Sequence, residues 1–169
     1  MTDPRPIACQ PHNHQLCIDD AVASAQRICK SKGARLTPLR KQVLILVWQS
    51  HRPLGAYTIM DMLAQTSTRR VAPPTVYRAL DFLLQYKLIH RINSLNAFLG
   101  CPDPGNVHQN YFLICRQCGI ATECLDNSLG NSIAQVADSA GFQVKEQSVE
   151  IVGLCPRCQA GPKNREPGQ

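Results

Sequence analysis

Two pairs of cysteines in the second half of the chain have the spacing of a metal site. Cys115 and Cys118 form the first pair, and Cys155 and Cys158 form the second pair after 36 intervening residues. Each C-x2-C turn brings two thiolates to the same side, and four thiolates complete the tetrahedral coordination of a structural zinc ion. Gly119, directly after the first pair, suits the tight turn that such a site needs. The spacing predicts a four-cysteine zinc site, and the alternative is two unrelated redox or packing pairs.

A second set of side chains with metal-binding chemistry lies around the middle of the chain. It combines imidazole, thiol and carboxylate groups: His90, Cys101, His108 and Glu123. A metal held by all four would tie the two halves of the chain together, but a histidine on a strand is more often solvated or hydrogen-bonded, so the spacing leaves both interpretations open. Cys124 competes with Glu123. Since strand neighbours point to opposite faces, only one of the two is expected to reach the ion.

The N-terminal segment carries a further group of thiols and imidazoles. Its members are Cys9, His12, His14 and Cys17. The segment has three prolines and no apolar periodicity, and without a scaffold such a group chelates a metal only weakly. The sequence predicts a flexible arm over residues 1–17, followed by a helix that begins near Asp19 or Asp20 and ends at Gly33. An extra metal site in the arm stays open.

Composition and charge narrow the class of protein. The 169 residues include nine cysteines, and no apolar secretory segment precedes them, so the thiols indicate a reducing, cytoplasmic compartment rather than disulfides. No apolar run approaches a membrane span. Residues 1–92 carry a net charge of +8 and residues 93–169 a net charge of −2. A basic half predicts a polyanion-binding unit, with a solvated basic surface as the alternative.

The elements that must position these groups fall into two units. Helices are predicted from Thr37-Pro38, over Ala56–Thr66 and from Thr75 to about Gln85, followed by a hairpin of residues 88–92 and 97–99. Several short helices before a hairpin indicate a winged helix-turn-helix. Beyond the loop, strands at 111–115 and 120–125, a helix at 128–140 and one or two strands within 142–154 indicate a small α/β unit. The predicted fold class is α+β.

Side chains that face away from the buried stripe of the fourth helix are candidates for reading DNA. Arg78 suits bidentate bonding to guanine, and Tyr77 suits a thymine methyl or a phosphate, with Thr75 on the same side. Six further basic residues are candidates for phosphate contacts: Arg35, Arg40, Lys41, Arg69, Arg70 and Arg91. Many of these charges are equally compatible with simple solvation.

Several stretches together resemble the Fur superfamily of metal-dependent repressors. They are Arg-Leu-Thr-Pro-Leu-Arg at 35–40, Pro-Thr-Val-Tyr-Arg-Ala-Leu-Asp-Phe-Leu at 74–83, Phe-Leu-Ile-Cys-Arg-Gln-Cys-Gly at 112–119, Gly141-Phe142 and the closing Cys155/Cys158 pair. The resemblance extends over roughly residues 18–160. It implies a winged-helix DNA-binding domain at 18–100, a hinge at 101–107, an α/β dimerisation domain at 108–160 and a tail at 161–169. It also implies a homodimer, not an enzyme, that binds operator DNA when metal is bound.

The same resemblance addresses the metal. Iron and peroxide sensors of the superfamily are typified by a histidine-rich cluster before the first C-x2-C pair, whereas residues 105–111 here contain only His108. A thiolate with two imidazoles and one carboxylate suits tetrahedral zinc better than octahedral iron or manganese. The set His90, Cys101, His108 and Glu123 resembles the regulatory zinc site of the zinc-uptake branch. Tyr57 matches a DNA-contacting tyrosine. The resemblance implies about two zinc ions per subunit and a repressor of zinc uptake genes.

Three other functions remain as alternatives. The first is a regulator of the same superfamily that responds to another metal or to peroxide through thiol oxidation. The second is a cytosolic zinc metalloenzyme with Glu123 as its base, although four protein ligands leave no open coordination position for a small-molecule substrate. The third is a zinc-ribbon interaction module, which the basic half of the chain disfavours.

Overall fold

The computed structural model describes residues 13–66, 71–105, 110–124, 127–145 and 147–160. The N-terminal part contains α1 (His14–Ser31), α2 (Pro38–Trp48), β1 (Leu54–Gly55), α3 (Ala56–Thr66), α4 (Pro73–Gln85), β2 (Ile89–Ile92) and β3 (Ala97–Gly100). The C-terminal part contains β4 (Asn110–Cys115), β5 (Ala121–Cys124), α5 (Asn127–Ser139), β6 (Ser148–Gly153) and α6 (Pro156–Gln159).

The N-terminal part is the predicted winged helix. Strands β2 and β3 form an antiparallel hairpin, and the short strand β1, which the sequence pattern did not predict, joins β3 at the other edge. The apolar stripes of the helices meet in one core, whose fully buried members include Val43, Leu44, Val47, Ile59, Leu63, Val76, Leu80 and Leu83. Leu84 of α4 is only partly buried at the margin of this core.

The helix starts follow local capping chemistry. Thr37 caps α2 as predicted, since its hydroxyl accepts a hydrogen bond from the Arg40 N–H at 3.4 Å and Pro38 occupies the first helical position. The predicted start of α1 near Asp19 or Asp20 is wrong.

Helix α1 instead begins at His14, because the Asn13 side chain caps it by accepting from the Gln15 N–H at 3.1 Å. His14 and Cys17 are therefore helical rather than part of a flexible arm. Cys9 and His12 lie outside the described residues. Gly33, with φ of +64°, ends the turn after α1 as predicted.

The C-terminal part is a three-stranded sheet in the order β5-β4-β6. Strands β4 and β5 are antiparallel, while β6 returns through α5 to lie parallel to β4. The segment 142–154 contributes the single strand β6. The apolar face of α5 is not buried against the rest of this chain: Val136 is 71% exposed. That face packs against no other element strongly enough to be covered in the described part of this chain.

The two sheets meet in a small apolar cluster. Ile92 and Leu99 of the winged helix pack with Phe112, Ile114 and Ala121 of the C-terminal part. The limits of the two domains remain a prediction. No helix in the described ranges is long and apolar enough to cross a membrane.

Candidate metal centres and DNA interface

The parallel pairing of β4 and β6 brings the two cysteine pairs together. Cys115 is the last residue of β4 and pairs with Gly153, the last residue of β6. Cys155 follows two residues after Gly153, so both cysteine pairs lie at the same end of these strands. Gly119, with φ of +73°, closes the first turn by donating its N–H to the Cys115 carbonyl. The second turn is the start of α6, where Cys155 is the N-cap. All four sulfurs lie within 4.8 Å of one another, with Cys158 included.

The sulfur geometry fits a tetrahedral ion. The Cys118 and Cys155 sulfurs are 3.7 Å apart, and two sulfurs bound to one zinc at tetrahedral angles lie about 3.8 Å apart. Burial raises the pKa of Cys115, but backbone N–H groups that donate hydrogen bonds to its sulfur lower the pKa to about 6. One of these donors is the Cys155 N–H, at 3.3 Å. Burial and the neighbouring sulfurs raise the pKa of Cys158 to about 12. The Cys158 thiol therefore carries a proton at neutral pH, and a bound metal ion would displace that proton.

The second candidate metal centre lies between the domains. His90 comes from β2, Cys101 follows β3, and Glu123 comes from β5, and their ligand atoms all lie within 4.8 Å of one another. The His90 Nε2 and Glu123 Oε2 atoms are 3.1 Å apart. His90 is 7% exposed and Cys101 is 1% exposed, so the group is withdrawn from solvent. The predicted fourth member, His108, lies outside the described residues.

The donor set fits zinc. One soft thiol with imidazole and carboxylate groups is typical of four-coordinate zinc rather than of the oxygen-rich sites that manganese prefers. Burial, followed by the nearby Glu123 carboxylate, raises the pKa of Cys101 to about 12. The thiol is therefore protonated at neutral pH in the absence of metal, and binding must release that proton. Cys124 is not in this group, in agreement with the expectation that Glu123 points inward.

Two further side chains near this site, Cys17 and His51, are not among its predicted ligands. A cavity of about 250 Å³ beside Cys101 and Glu123 is also lined by Cys17 of α1 and by His51. The His51 ring lies 4.7 Å from the His14 ring, measured between centroids. His51 is an isolated histidine in the sequence, so spacing gave no signal. Cys17 gave one, but only as part of the presumed arm.

The predicted DNA-reading residues lie on exposed positions of the winged helix. Tyr57 on α3 is 77% exposed and Tyr77 on α4 is 43% exposed. Thr75 and Arg78 on α4 are exposed as well. These positions leave all four side chains accessible to a duplex, and their roles remain predictions.

Two of the predicted phosphate contacts are engaged in the fold. The Arg40 guanidinium lies 3.6 Å from the centre of the Phe82 ring and donates to the Arg35 carbonyl at 2.6 Å. Arg91 donates to the Asn96 side chain at 2.7 Å. These contacts indicate that Arg40 and Arg91 contribute to the structure of the winged helix. Lys41 and Arg35 are exposed, and Arg69 and Arg70 lie outside the described residues.

Comparison with known proteins gives concordant results. Residues 31–152 match the model of the ferric uptake regulator family. The chain is 33% identical over 153 residues to the zinc uptake regulation protein of Escherichia coli strain K12, with 89% of this chain and 88% of that protein covered.

The chain is also similar to solved structures of zinc uptake regulators. A zinc uptake regulator in complex with zinc and DNA matches with a TM-score of 0.78 and 32% identity, covering 85% of this chain and 95% of that chain. Holo XcZur matches with a TM-score of 0.76 and 38% identity, covering 84% of this chain and 99% of that chain. Apo XcZur, at the same 38% identity and covering 84% and 97%, matches with a TM-score of only 0.51. The structure as a whole is thus more similar to the holo form than to the apo form.

Proposed function

The chain belongs to the ferric uptake regulator family, and from this premise we propose that it is a zinc-responsive transcriptional repressor. It binds operator DNA as a homodimer when regulatory zinc is bound, and it controls zinc uptake genes. The 33% identity to a zinc uptake regulation protein and the similarity to a zinc uptake regulator bound to zinc and DNA support this assignment over an enzyme. The family consists of regulators, and the chain is one of them.

The observation that best supports a zinc response is that the ligands of the interdomain group come from both domains. His90 belongs to the winged helix and Glu123 belongs to the C-terminal sheet, with their side chains 3.1 Å apart. Both can bind one ion only when the domains are docked. Zinc acts on an equilibrium through its different affinity for the two states, so a site divided between domains favours the docked state. We propose His108 as the fourth ligand.

The four-cysteine cluster has a different role in this proposal. All of its ligands come from the C-terminal part, so an ion there stabilises that part in both domain arrangements. It is the structural zinc, and the regulatory zinc brings the total to about two per subunit.

Exposed apolar side chains on the C-terminal part support the homodimer. Val136, Phe142 and Val152 are 60–72% exposed, and Ile151 is exposed as well. Large apolar side chains left in contact with water favour an interface, and a second subunit would cover them. The dimer then presents two copies of α4, whose spacing must match two half-sites of the operator.

Recognition of DNA is assigned to the exposed side chains of α3 and α4. We propose Arg78 and Tyr77 as base contacts, with Thr75 and Tyr57 positioning the helix on the duplex. Their exposure and the basic charge of residues 1–92 support this assignment.

DNA binding titrated against buffered free metal tests the proposal. The probe is a duplex selected from a random library by the zinc-loaded protein, and the readout is fluorescence anisotropy. We expect binding to rise with free zinc, and Fe(II) or Mn(II) to restore it only at much higher free concentrations. Equal activation by iron or manganese would favour the alternative metal, and release of the zinc-loaded protein by peroxide would favour the redox alternative. Binding that is independent of metal contradicts the proposal.

A further inference from the structure

The turn of the winged-helix hairpin is attached to the C-terminal sheet by one carboxylate. Glu150 of β6 accepts hydrogen bonds from the Asn93 N–H at 2.6 Å and from the Ser94 N–H at 3.1 Å. The Ser94 hydroxyl also bonds to this carboxylate. These partners are 56 and 57 residues away in sequence, so the contact exists only when the hairpin lies against the sheet.

Glu150 is aligned with the regulatory metal group across the sheet. Phe112 of β4 pairs with Glu123 on one side and with Glu150 on the other. Residues directly opposite on neighbouring strands point to the same face, so all three side chains face the hairpin. Glu123 meets His90, and the Phe112 ring lies 5.4 Å from the His90 ring. The docking face thus has an apolar centre and a carboxylate at each end.

The two carboxylates, Glu123 and Glu150, differ in the groups that they contact. Glu123 faces metal-binding groups, whereas Glu150 faces backbone N–H groups that are present whether or not a metal is bound. Burial raises the pKa of Glu150, but the bonds from Ser94 and Asn93 outweigh it and leave the pKa below its ordinary value. Glu150 is therefore ionised at neutral pH, and its hydrogen bonds are of the stronger, charge-assisted kind.

The hairpin turn is built to present these donors. Arg91 donates to the Asn96 side chain at 2.7 Å, and the Asn96 N–H donates to the Asn93 carbonyl at 3.2 Å. These bonds hold the turn from its own side. The N–H groups of Asn93 and Ser94 then point outward, toward Glu150.

We propose that Glu150 is a positioning residue that clamps the hairpin turn to β6 without metal and thereby sets the free zinc concentration at which the protein responds. The inference rests on the proposed function, because it concerns the regulation of the same interdomain site. Any contact present only in the docked state raises the affinity of a ligand that binds that state. Loss of the clamp must therefore weaken regulatory zinc binding even though no metal ligand is changed.

The test measures zinc affinity in the absence of DNA, with the full-length protein carrying its tight zinc. Trp48 is the only tryptophan and lines the cavity beside Cys101, so its fluorescence reports Co²⁺ at this site, and zinc competition gives the zinc affinity. Glu150→Ala removes the acceptor. Ser94→Pro removes the Ser94 N–H and hydroxyl at the second position of a turn, where proline is favoured. Asp138→Asn, an exposed carboxylate on α5, is the matched charge control.

Both clamp variants are expected to lower the regulatory zinc affinity, on the order of tenfold. The double variant should lose little more than either single variant, because both remove the same contact. The control should match the wild type, and all variants should keep the tight zinc. Unchanged zinc affinity in Glu150→Ala and Ser94→Pro overturns the inference, as does full additivity. If Glu150→Ala loses the tight zinc, the regulatory zinc affinities of Ser94→Pro and Glu150→Gln decide whether the clamp contributes.

The wild type separates this inference from the function it rests on. A wild-type protein whose DNA binding ignores zinc contradicts the proposed function. A wild type that responds to zinc, with clamp variants that respond at the same free zinc, contradicts the clamp alone.

Discussion

The two candidate metal centres differ both in their ligands, four thiols in one and an imidazole, a thiol and a carboxylate in the other, and in the parts of the fold that supply them. The four cysteines come from two turns at one edge of the β4–β6 sheet. His90 and Glu123 come from different domains and meet only at their interface. In our proposal, an ion in the first site stabilises one domain, while an ion in the second site fixes how the two domains lie. The origin of the ligands in the fold, more than the identity of the metal, would then separate a structural site from a regulatory one.

The largest effect is expected from removing a ligand of the four-cysteine site. Cys158→Ser should lose the tight zinc and destabilise the C-terminal part by roughly 5 kcal/mol or more, because structural zinc contributes about 10–16 kcal/mol of apparent binding free energy. Metal content by mass spectrometry and thermal unfolding check this. Cys124→Ser is the matched control, since Cys124 belongs to neither described metal group. A Cys158→Ser protein with tight zinc and native melting rules out the four-cysteine site.

A ligand of the interdomain site should behave in the opposite way. Cys101→Ser should fold, dimerise and keep its tight zinc, because the four-cysteine site does not use this residue. It should bind about one zinc fewer per subunit and require on the order of a hundredfold more free zinc to hold DNA. Anisotropy with the selected duplex and metal content give both numbers. If Cys124 proves essential and Cys101 dispensable, the ligand set is wrong and thiol redox sensing becomes the better explanation.

A smaller effect, on the free energy of folding, is expected from a substitution at Gly100, the residue before Cys101. A methyl group at Gly100 would overlap the Trp48 indole, which lines the cavity next to Cys101. Gly100→Ala should cost about 1–3 kcal/mol of folding free energy, as overpacking does, and should change the Trp48 fluorescence. Gly55→Ala, where an added Cβ meets nothing within 4 Å, is the control. Equal stability of the two variants would show that Trp48 moves aside without cost.

The four-cysteine site could be predicted almost completely from sequence, whereas the interdomain site could not. Two C-x2-C turns are local, and one parallel strand pair suffices to join them. The group of His90, Cys101 and Glu123 depends on how one sheet docks on another, so residue types and spacing left its role open until the family resemblance favoured a metal site. Glu150 gave no signal at all, because its partners are backbone N–H groups rather than side chains.

The fold shows the same division. Thr37-Pro38 and the stripe of Val76, Leu80 and Leu83 are local signals, and both predictions are confirmed. The start of α1 was wrong because Asn13, within a proline-rich context, was not recognised as a cap. The apolar face of α5, by contrast, is left exposed in this chain. Its neighbour, in our proposal, is a second subunit.

The smallest effect on either metal centre is expected from the DNA-reading helix. Arg78→Ala should weaken binding to the selected duplex by about 1–3 kcal/mol and relax the preference at one base position. Zinc content and dimerisation should be unchanged, since Arg78 is exposed on α4 and belongs to neither metal group. Anisotropy with single-base variants of the duplex checks this. An equal loss on every duplex would mean a phosphate contact instead.

In the proposed function the interdomain site couples zinc binding to DNA binding, and such coupling must be reciprocal. Regulatory zinc affinity is measured by competition with a chelator, with and without saturating selected duplex, and DNA affinity is measured with and without saturating zinc. Linkage requires the two ratios to be equal. We expect DNA to tighten regulatory zinc binding by the same factor by which zinc tightens DNA binding, and Cys101→Ser to reduce both factors toward one. Regulatory zinc affinity that is unchanged by DNA would contradict zinc-controlled DNA binding through this site.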